Sequence, residues 1–572
     1  MTARDDTVLR SGLDAALRPL LASVYGDRAD GVRADLLALA DGWADRVGRA
    51  AAPPPDQSTA YLITYADAVR RPGEAPLRTL RRLLDEQVGD AISDVHLLPV
   101  YPWTSDDGFA VVDHRVLDPD LGTWQDVEDL ATGRRVMLDL VANHLSASSP
   151  WFTRWLAGDP AYAGYFVERD HAFDASRVVR PRTTPLFHSY ARPDGGVAEV
   201  WTTFGPDQVD VDLSEPRVLL DLTDVLLGYV ARGARTVRLD AIGFLWKESG
   251  TTCLHLPQTH ALIRVWRALL DHVAPGTLLL TETNVPHPEN VSYLGDGTDE
   301  AHMVYQFALP PLVLDAFVSG RADVLARWAA GVDAVSPTAT WFNFLASHDG
   351  IGMRPSEGLL TDEAREALVR RALAHGGRVS VATDAAGRER PYELNVGFLD
   401  ALADPGAPDH DAQVVQRGLA AHSILLSLVG VPAIYYHSLL GSPHDVAGMQ
   451  DSGIARRVNR GRLDADVLVA ELAPAGASPG RRAAIFGRIR HLLAVRSGQP
   501  AFDPFAPQRV EVLAGRALVV RRAAGTPDEV VAITNVSGEP VSLTGLSGTD
   551  LITGERRDDA VLPPYGYVWL RP

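Results

Sequence analysis

Eight short apolar runs constrain this chain more than any other feature. They are AYLITYAD (60–67), DVHLLPVYP (94–102), RRVMLDLVANH (134–144), RTVRLDAIG (235–243), TLLLTETN (277–284), HMVYQFALP (302–310), ATWFNFLASHD (339–349) and VPAIYYHSL (431–439). Helical stretches alternate with them. Alternating strand and helix specifies parallel sheet with helical crossovers, and eight such units are the number that closes a barrel. The expected fold class is therefore α/β, a (β/α)8 TIM barrel.

The spacing also sets the expected organisation. Residues 1–55 read as a helical extension, because LDAALRPLLASVYG and VRADLLALADGWADRVGRA repeat apolar residues at helical intervals. AAPPPDQS then breaks that pattern. About 90 residues separate the third strand from the fourth, and about 85 separate the seventh from the eighth. The barrel is thus expected in three parts, 56–145, 213–354 and 413–504, with inserted subdomains at 146–212 and 355–412. Long insertions on the βα side of a barrel usually shape the active site. From 505 to 572 short strands and Gly turns read as a small antiparallel β domain.

A length of 572 residues allows a large core and more than one domain. The net charge of -19 argues against nucleic acid or an anionic membrane as partner. Cys253 is the sole cysteine, so no intrachain disulfide can form. The start, MTARDDTVLRSG, has no signal-peptide core, and no apolar run approaches the roughly 18 residues of a membrane helix. A reduced, cytoplasmic, soluble protein is expected, as a monomer or homodimer.

Strand ends in a parallel barrel face the catalytic mouth. Here several of them carry ionisable residues. The third run ends with Asp139, Asn143 and His144, the fourth with Arg238 and Asp240, the fifth with Glu282, and the seventh with His348 and Asp349. The loop after the second carries Asp106 and Asp107. One such residue is most often a structural hydrogen bonder. Acids gathered from several strands repel one another, raise each other's pKa and destabilise the fold, which points to chemistry instead. Paired carboxylates suit glycosidic bond cleavage: one attacks the anomeric carbon while a protonated one donates to the leaving oxygen. Arg238 is expected to hold Asp240 ionised and lower its pKa. Glu282, after an apolar run, is expected to stay protonated as general acid.

DLVANH, VRLDAIGF, the Glu of LLLTETN and ASHDG resemble the four signature regions of the α-amylase superfamily (glycoside hydrolase family 13) of retaining α-glucosyl enzymes. HLLPVYPWTSDDGFAVVDHRVLDPDLGTWQDV, VRPRTTPLF, RLDAIGFLWKESGTTCLHLPQTHALI, FALPPLVL and SHDGIGMRP resemble its sucrose phosphorylase group in particular. The resemblance implies Asp240 as nucleophile, Glu282 as acid/base and Asp349 as transition-state stabiliser. It implies Asp106, His144, Arg238, His348 and Arg456 around the donor glucose, with Arg457 and Arg460 beside Arg456 in ARRVNR. Phe109 and Phe244 would wall the sugar. Arg182 and Tyr392 resemble residues that meet phosphate or the acceptor. The substrates implied are a small α-glucoside and inorganic phosphate, with no cofactor.

Three positions depart from the sucrose-specific members: Glu282 is followed by Thr283-Asn284, Met353-Arg354-Pro355 follows the stabilising aspartate, and Tyr392 is followed by Glu393 rather than Gln. The extended N-terminal helices are also unlike those members. The departures fall where the leaving group should lie, and Arg354 would suit an anionic one. They resemble the branch that phosphorolyses glucosylglycerate or sucrose 6'-phosphate, with TETNVPHPENVSY and CLHLPQTHALI favouring glucosylglycerate. Glucosylglycerol, sucrose, a hydrolase or transglucosidase, and a non-catalytic carbohydrate-binding chain are the alternatives. Asn143 matches in part a calcium site of secreted amylases, but no metal is expected.

Overall fold

The computed structural model describes residues 3–47, 53–383, 388–473 and 479–572. Eight strands close a parallel barrel. They are β1 (Tyr61–Thr64), β2 (Asp94–Leu97), β3 (Arg135–Val141), β4 (Ala234–Asp240), β5 (Leu278–Thr281), β6 (Met303–Tyr305), β7 (Thr340–Phe344) and β8 (Val431–Tyr435). Each apolar run of the sequence supplies one strand, and neighbours in the chain are neighbours in the barrel, with β8 closing on β1. Every residue of β4 is buried, so its Thr, Arg and Asp side chains as well as its aliphatic ones lie inside protein. Strands buried on both faces lose the polar–apolar alternation of a half-exposed sheet, which is why these runs read as nearly continuous apolar stretches.

Two N-terminal helices, α1 (Ala3–Tyr25) and α2 (Ala29–Val47), lie outside the barrel. Leu13, Leu17 and Leu21 recur every fourth residue and are buried on one face of α1. That face packs along the helix Pro257–Val273, while α2 packs on Pro216–Ala231. Tyr25 at the end of α1 donates to Leu213 O at 2.9 Å and sets its ring edge-on to Trp246, in the loop after β4. The predicted break at AAPPPDQS begins in residues 48–52, which lie outside the described residues.

Between β3 and β4, His144–Ser146 pairs with Gln208–Asp210, and Phe187–Ala191 pairs with Val197–Trp201. Between β7 and β8, Ile351–Gly352, Glu389–Asn395 and Arg378–Thr383 form a three-stranded sheet. Residues 384–387 of the expected insertion 355–412 lie outside the described residues. At the C-terminal end a six-stranded antiparallel sheet runs from Gln508 to Arg571. Two buried arginines brace the barrel floor: Arg496 from the helix Arg481–Ser497, and Arg522 from the sheet strand Ala517–Arg522, which ties the sheet to it. Arg496 donates to the carbonyls of Leu426, Thr59 and Phe502 at 3.1, 3.3 and 3.1 Å. Arg522 donates to those of Ser427, Asp503 and Ala506 at 3.1, 2.6 and 3.1 Å.

Candidate active site

The strand register builds the centre of the site. Asp139 of β3 and Arg238 of β4 are directly paired positions. Side chains two apart on a strand share a face, so Arg238 and Asp240 point the same way. One guanidinium nitrogen, Nη1 of Arg238, donates to Asp139 and to Asp240 Oδ1, the latter at 2.8 Å. His96 from β2 meets the other oxygen of Asp139 at 2.8 Å.

The chain turns sharply after Asp240. Ala241 adopts a left-handed backbone, φ +50°, that residues other than Gly, Asn and Asp rarely take. The strain aims its N–H at Glu282 Oε2, 3.1 Å away, so the end of β4 is hydrogen-bonded to the first residue after β5. Asp349, beyond β7, is held at 2.7 Å by Arg456, which follows the neighbouring strand β8. Asp240, Glu282 and Asp349 all line one cavity, together with Asp106, Phe109, His144, Arg182, Arg238, Phe244, Asn284, His348, Arg354, Tyr392 and Arg456. Phe109 stacks on the His348 ring at 4.8 Å, and Phe244 meets Phe204 edge-to-face.

Electrostatics differ among the three acids. Burial would raise Asp349, but Arg456, His348 and Arg460 outweigh it and hold the carboxyl well below the usual carboxylate range. Asp106 is likewise held down, with Arg456, Arg460 and Arg182 outweighing burial. Glu282 moves the other way: burial raises it, and Asp349 adds to the rise. The sequence expectation for Asp240 is corrected here. Arg238 does favour its anion, but burial beside Glu282 and Asp139 is larger, and the carboxyl is raised. Asp240 and Glu282 therefore retain a proton between them above the ordinary range. The direct hydrogen bond from Arg238 to Asp240 favours the charge on Asp240 and the proton on Glu282. His348 is pushed down to about 3 by burial and is neutral at physiological pH.

Glu393 is the second correction. It does not touch the cavity. It is buried behind Arg456 and accepts two hydrogen bonds from that guanidinium, at 3.1 and 2.8 Å. Its carboxylate fixes Arg456 toward Asp349 rather than meeting a ligand. Among the three adjacent arginines, Arg456 faces the cavity, Arg457 turns to the carbonyl of Arg460, and Arg460 is fully buried against Asp106 and Asp107. The sequence reading missed Phe204, Gln208 and Leu254, which also line the cavity. Gln208 is brought in by the strand that pairs with His144, a contact with no local sequence signal.

Asn143, the position resembling a calcium ligand, accepts instead from the only lysine of the chain. Lys247 Nζ lies 2.8 Å from Asn143 Oδ1 and 2.9 Å from Asp210. The described residues contain no group of three or more His, Cys, Asp or Glu able to hold a metal ion. Nor is any of their helices long and apolar enough to cross a membrane.

A family model, the α-amylase catalytic domain, matches residues 90–350. Glucosylglycerate phosphorylase of Allomeiothermus silvanus is 47% identical over 552 residues, spanning 96% of this chain and 97% of that protein. The chain belongs to the α-amylase family. Within that family it is similar to the phosphorylases: sucrose phosphorylase of Agrobacterium vitis is 31% identical, spanning 78% of this chain and 89% of that one. The crystal structure of sucrose 6F-phosphate phosphorylase from Thermoanaerobacter thermosaccharolyticum shares the fold, with a TM-score of 0.72 at 24% identity over 85% of this chain and 95% of that one. The α-amylase-family barrel accounts for acids converging from β4, β5 and β7 at one mouth.

Proposed function

We propose that the chain is a retaining α-glucosyl phosphorylase that cleaves 2-O-α-glucosylglycerate with inorganic phosphate, giving α-glucose 1-phosphate and glycerate. Its carboxylates act in two displacements. An oxygen of Asp240 attacks the anomeric carbon, the bond to the glycerate oxygen breaks, and the Glu282 proton goes to that oxygen. A phosphate oxygen then attacks the same carbon, the bond to Asp240 breaks, and the phosphate proton returns to Glu282. Two inversions retain the α configuration. Asp349, ionised and paired with Arg456, faces the developing positive charge of the sugar. Asp106, His144, Arg238, His348 and Arg456 hold the glucose between the walls Phe109 and Phe244.

One observation carries the charge of the second substrate. The guanidinium groups of Arg182 and Arg354 line the cavity without a hydrogen bond to any described residue, Arg354 having only the Glu289 carboxylate at 3.8 Å, whereas Arg238 and Arg456 are each hydrogen-bonded to carboxylates. A guanidinium facing a partly buried cavity with its donors unused suits an anion. Two of them suit phosphate and a carboxylate, with Tyr392 and Asn284 beside them. The 47% identity to a glucosylglycerate phosphorylase supports glycerate as that carboxylate. The sole cysteine suits a cytoplasmic enzyme, monomeric or homodimeric, in which segments 146–212 and 355–412 are insertions that roof the site.

The same pair of arginines also suits a phosphorylated sugar, so sucrose 6'-phosphate is the second reading. A reverse-reaction panel separates them. Glucose 1-phosphate is offered with glycerate, fructose, fructose 6-phosphate and glycerol, and phosphate release is followed. Fastest release with glycerate is expected. Fastest release with fructose 6-phosphate would replace the substrate assignment, and glucose release without any acceptor would replace the reaction class.

A further inference from the structure

Three loops meet beside the guanidinium of Arg354, which lines the cavity. His255 follows β4, Glu289 lies on the short helix His287–Val291 after β5, and Arg354 follows β7. Glu289 Oε2 stands 3.8 Å from Arg354 Nη2 and 3.2 Å from His255 Nε2. Glu289 is the only ion-pair partner of Arg354 among the described residues.

Both neighbours of Arg354 are firmly anchored. Asn290, next to Glu289, accepts from Thr283 at 2.7 Å and donates to Tyr305 O at 2.6 Å. His255 has a left-handed backbone, φ +58°, and its Nδ1 meets the Tyr293 hydroxyl at 2.6 Å. A Cβ added at Gly243 would stand 3.3 Å from the His255 ring, so the glycine makes room for it. Burial, with His260 and Arg354 nearby, pushes His255 down to about 4, and the imidazole is neutral at pH 7. Arg354 therefore faces one fixed negative charge and a neutral ring.

A separation of 3.8 Å is longer than a charge-assisted hydrogen bond of about 2.7–2.9 Å. Glu289 thus orients the guanidinium without consuming its donors. It also cancels part of the positive charge that an incoming anion meets. A carboxylate brings one charge. A phosphate monoester brings about 1.5 to 2 at pH 7 and meets correspondingly more repulsion from Glu289.

We propose that Glu289 is a positioning residue that makes the acceptor site selective for singly charged carboxylates over doubly charged phosphate monoesters, by holding Arg354 loosely while opposing a second negative charge. This rests on the phosphorylase reading above. Inorganic phosphate enters after the acceptor has left and has Arg182 to meet it.

The test compares apparent affinities for D-glycerate and fructose 6-phosphate in the reverse reaction from glucose 1-phosphate. KM is used for an acceptor that turns over, and a competitive inhibition constant for one that does not. The side chain of Glu289 is 42% exposed, so Glu289→Gln is not a core substitution. Glu289→Gln is expected to shift the affinity ratio toward fructose 6-phosphate at least about tenfold, or ~1.4 kcal/mol. Glu289→Asp, which keeps the charge, is expected to retain the wild-type ratio. In an Arg354→Ala background, Glu289→Gln is expected to change the ratio less than about twofold. A folded, active Glu289→Gln variant with the wild-type ratio would overturn the proposal. So would an undiminished shift in the Arg354→Ala background. A wild-type enzyme that releases phosphate with none of glycerate, fructose, fructose 6-phosphate and glycerol would instead overturn the phosphorylase reading itself.

Discussion

Asp240 and Glu282 carry conflicting demands. Their reaction needs one anion and one acid side by side, while folding would favour neither buried beside the other. Exchanging Asp240 for Asn or Glu282 for Gln is expected to lower kcat by at least ~10³-fold in steady-state assays. Near-normal rates in a folded variant would remove the residue from the reaction. The same conflict has a stability consequence. A carboxyl raised by folding binds its proton more tightly in the folded state than in the unfolded chain. Below the ordinary Glu value, about 4.3, both states hold the proton; as pH rises toward the folded value, only the folded state does, and stability declines. Gln cannot titrate, so Glu282→Gln is expected to melt higher than wild type, with the gap widening by about 2 °C or more from pH 5 to pH 8 in thermal unfolding. A gap that narrows over that range would contradict the raised Glu282. Much of this chemistry was legible in the sequence, because Asp240, Glu282 and Asp349 close short apolar runs. Less legible was the net effect on Asp240: the Arg238 contact is local, while the burial that outweighs it comes from β3 and β5. Glu393 was misread for a similar reason. Its neighbour Tyr392 lines the cavity, and alternation along the strand turns Glu393 the other way, onto Arg456.

At the scale of elements, the loops leaving β4, β5 and β7 lock together by close contact. Ile351–Gly352 is the short strand beside Asn284. A Cβ built on Gly352 would stand 2.8 Å from Asn284 Oδ1, so only glycine leaves the carboxamide where it is. Gly352→Ala is expected to push Asn284 out of line and lower kcat/KM for the acceptor at least ~10-fold, in line with the ~1–3 kcal/mol of an overpacked contact. Reverse-reaction kinetics at varied acceptor check it; an unchanged kcat/KM would remove Asn284 from the acceptor contact. The eight strands themselves were readable, since β-branched and aromatic runs bounded by turn residues have few other uses. The meeting of His255, Glu289 and Arg354 was not. They belong to three loops whose approach depends on barrel closure, and each alone reads as an ordinary polar loop residue.

For the whole molecule, the arginine-rich composition conceals a structural use of arginine. Arg496 and Arg522 are buried against backbone carbonyls at the barrel floor, and burial lowers both. Arg496→Met would leave several of those carbonyls buried and unpaired. It is expected to cost ~2–4 kcal/mol in denaturant unfolding, while kcat/KM stays within about twofold because Thr59 and Gly430 precede β1 and β8, at the end opposite the mouth. Equal stability would mean that those carbonyls find other partners once the guanidinium is gone. The C-terminal sheet was legible from its short strands and Gly turns; Arg522, which fastens it, and Arg496 at the barrel floor were not, because nothing local distinguishes them among 54 basic residues. The molecule as a whole is organised to bring one glucose ring to three acids and let phosphate finish the exchange. The most direct measurement is NMR of purified protein incubated with 2-O-α-glucosylglycerate, with and without inorganic phosphate. Phosphate-dependent formation of α-glucose 1-phosphate, with little free glucose, is the predicted result. Free glucose formed at the same rate in both samples, or a β-phosphate product, would contradict it.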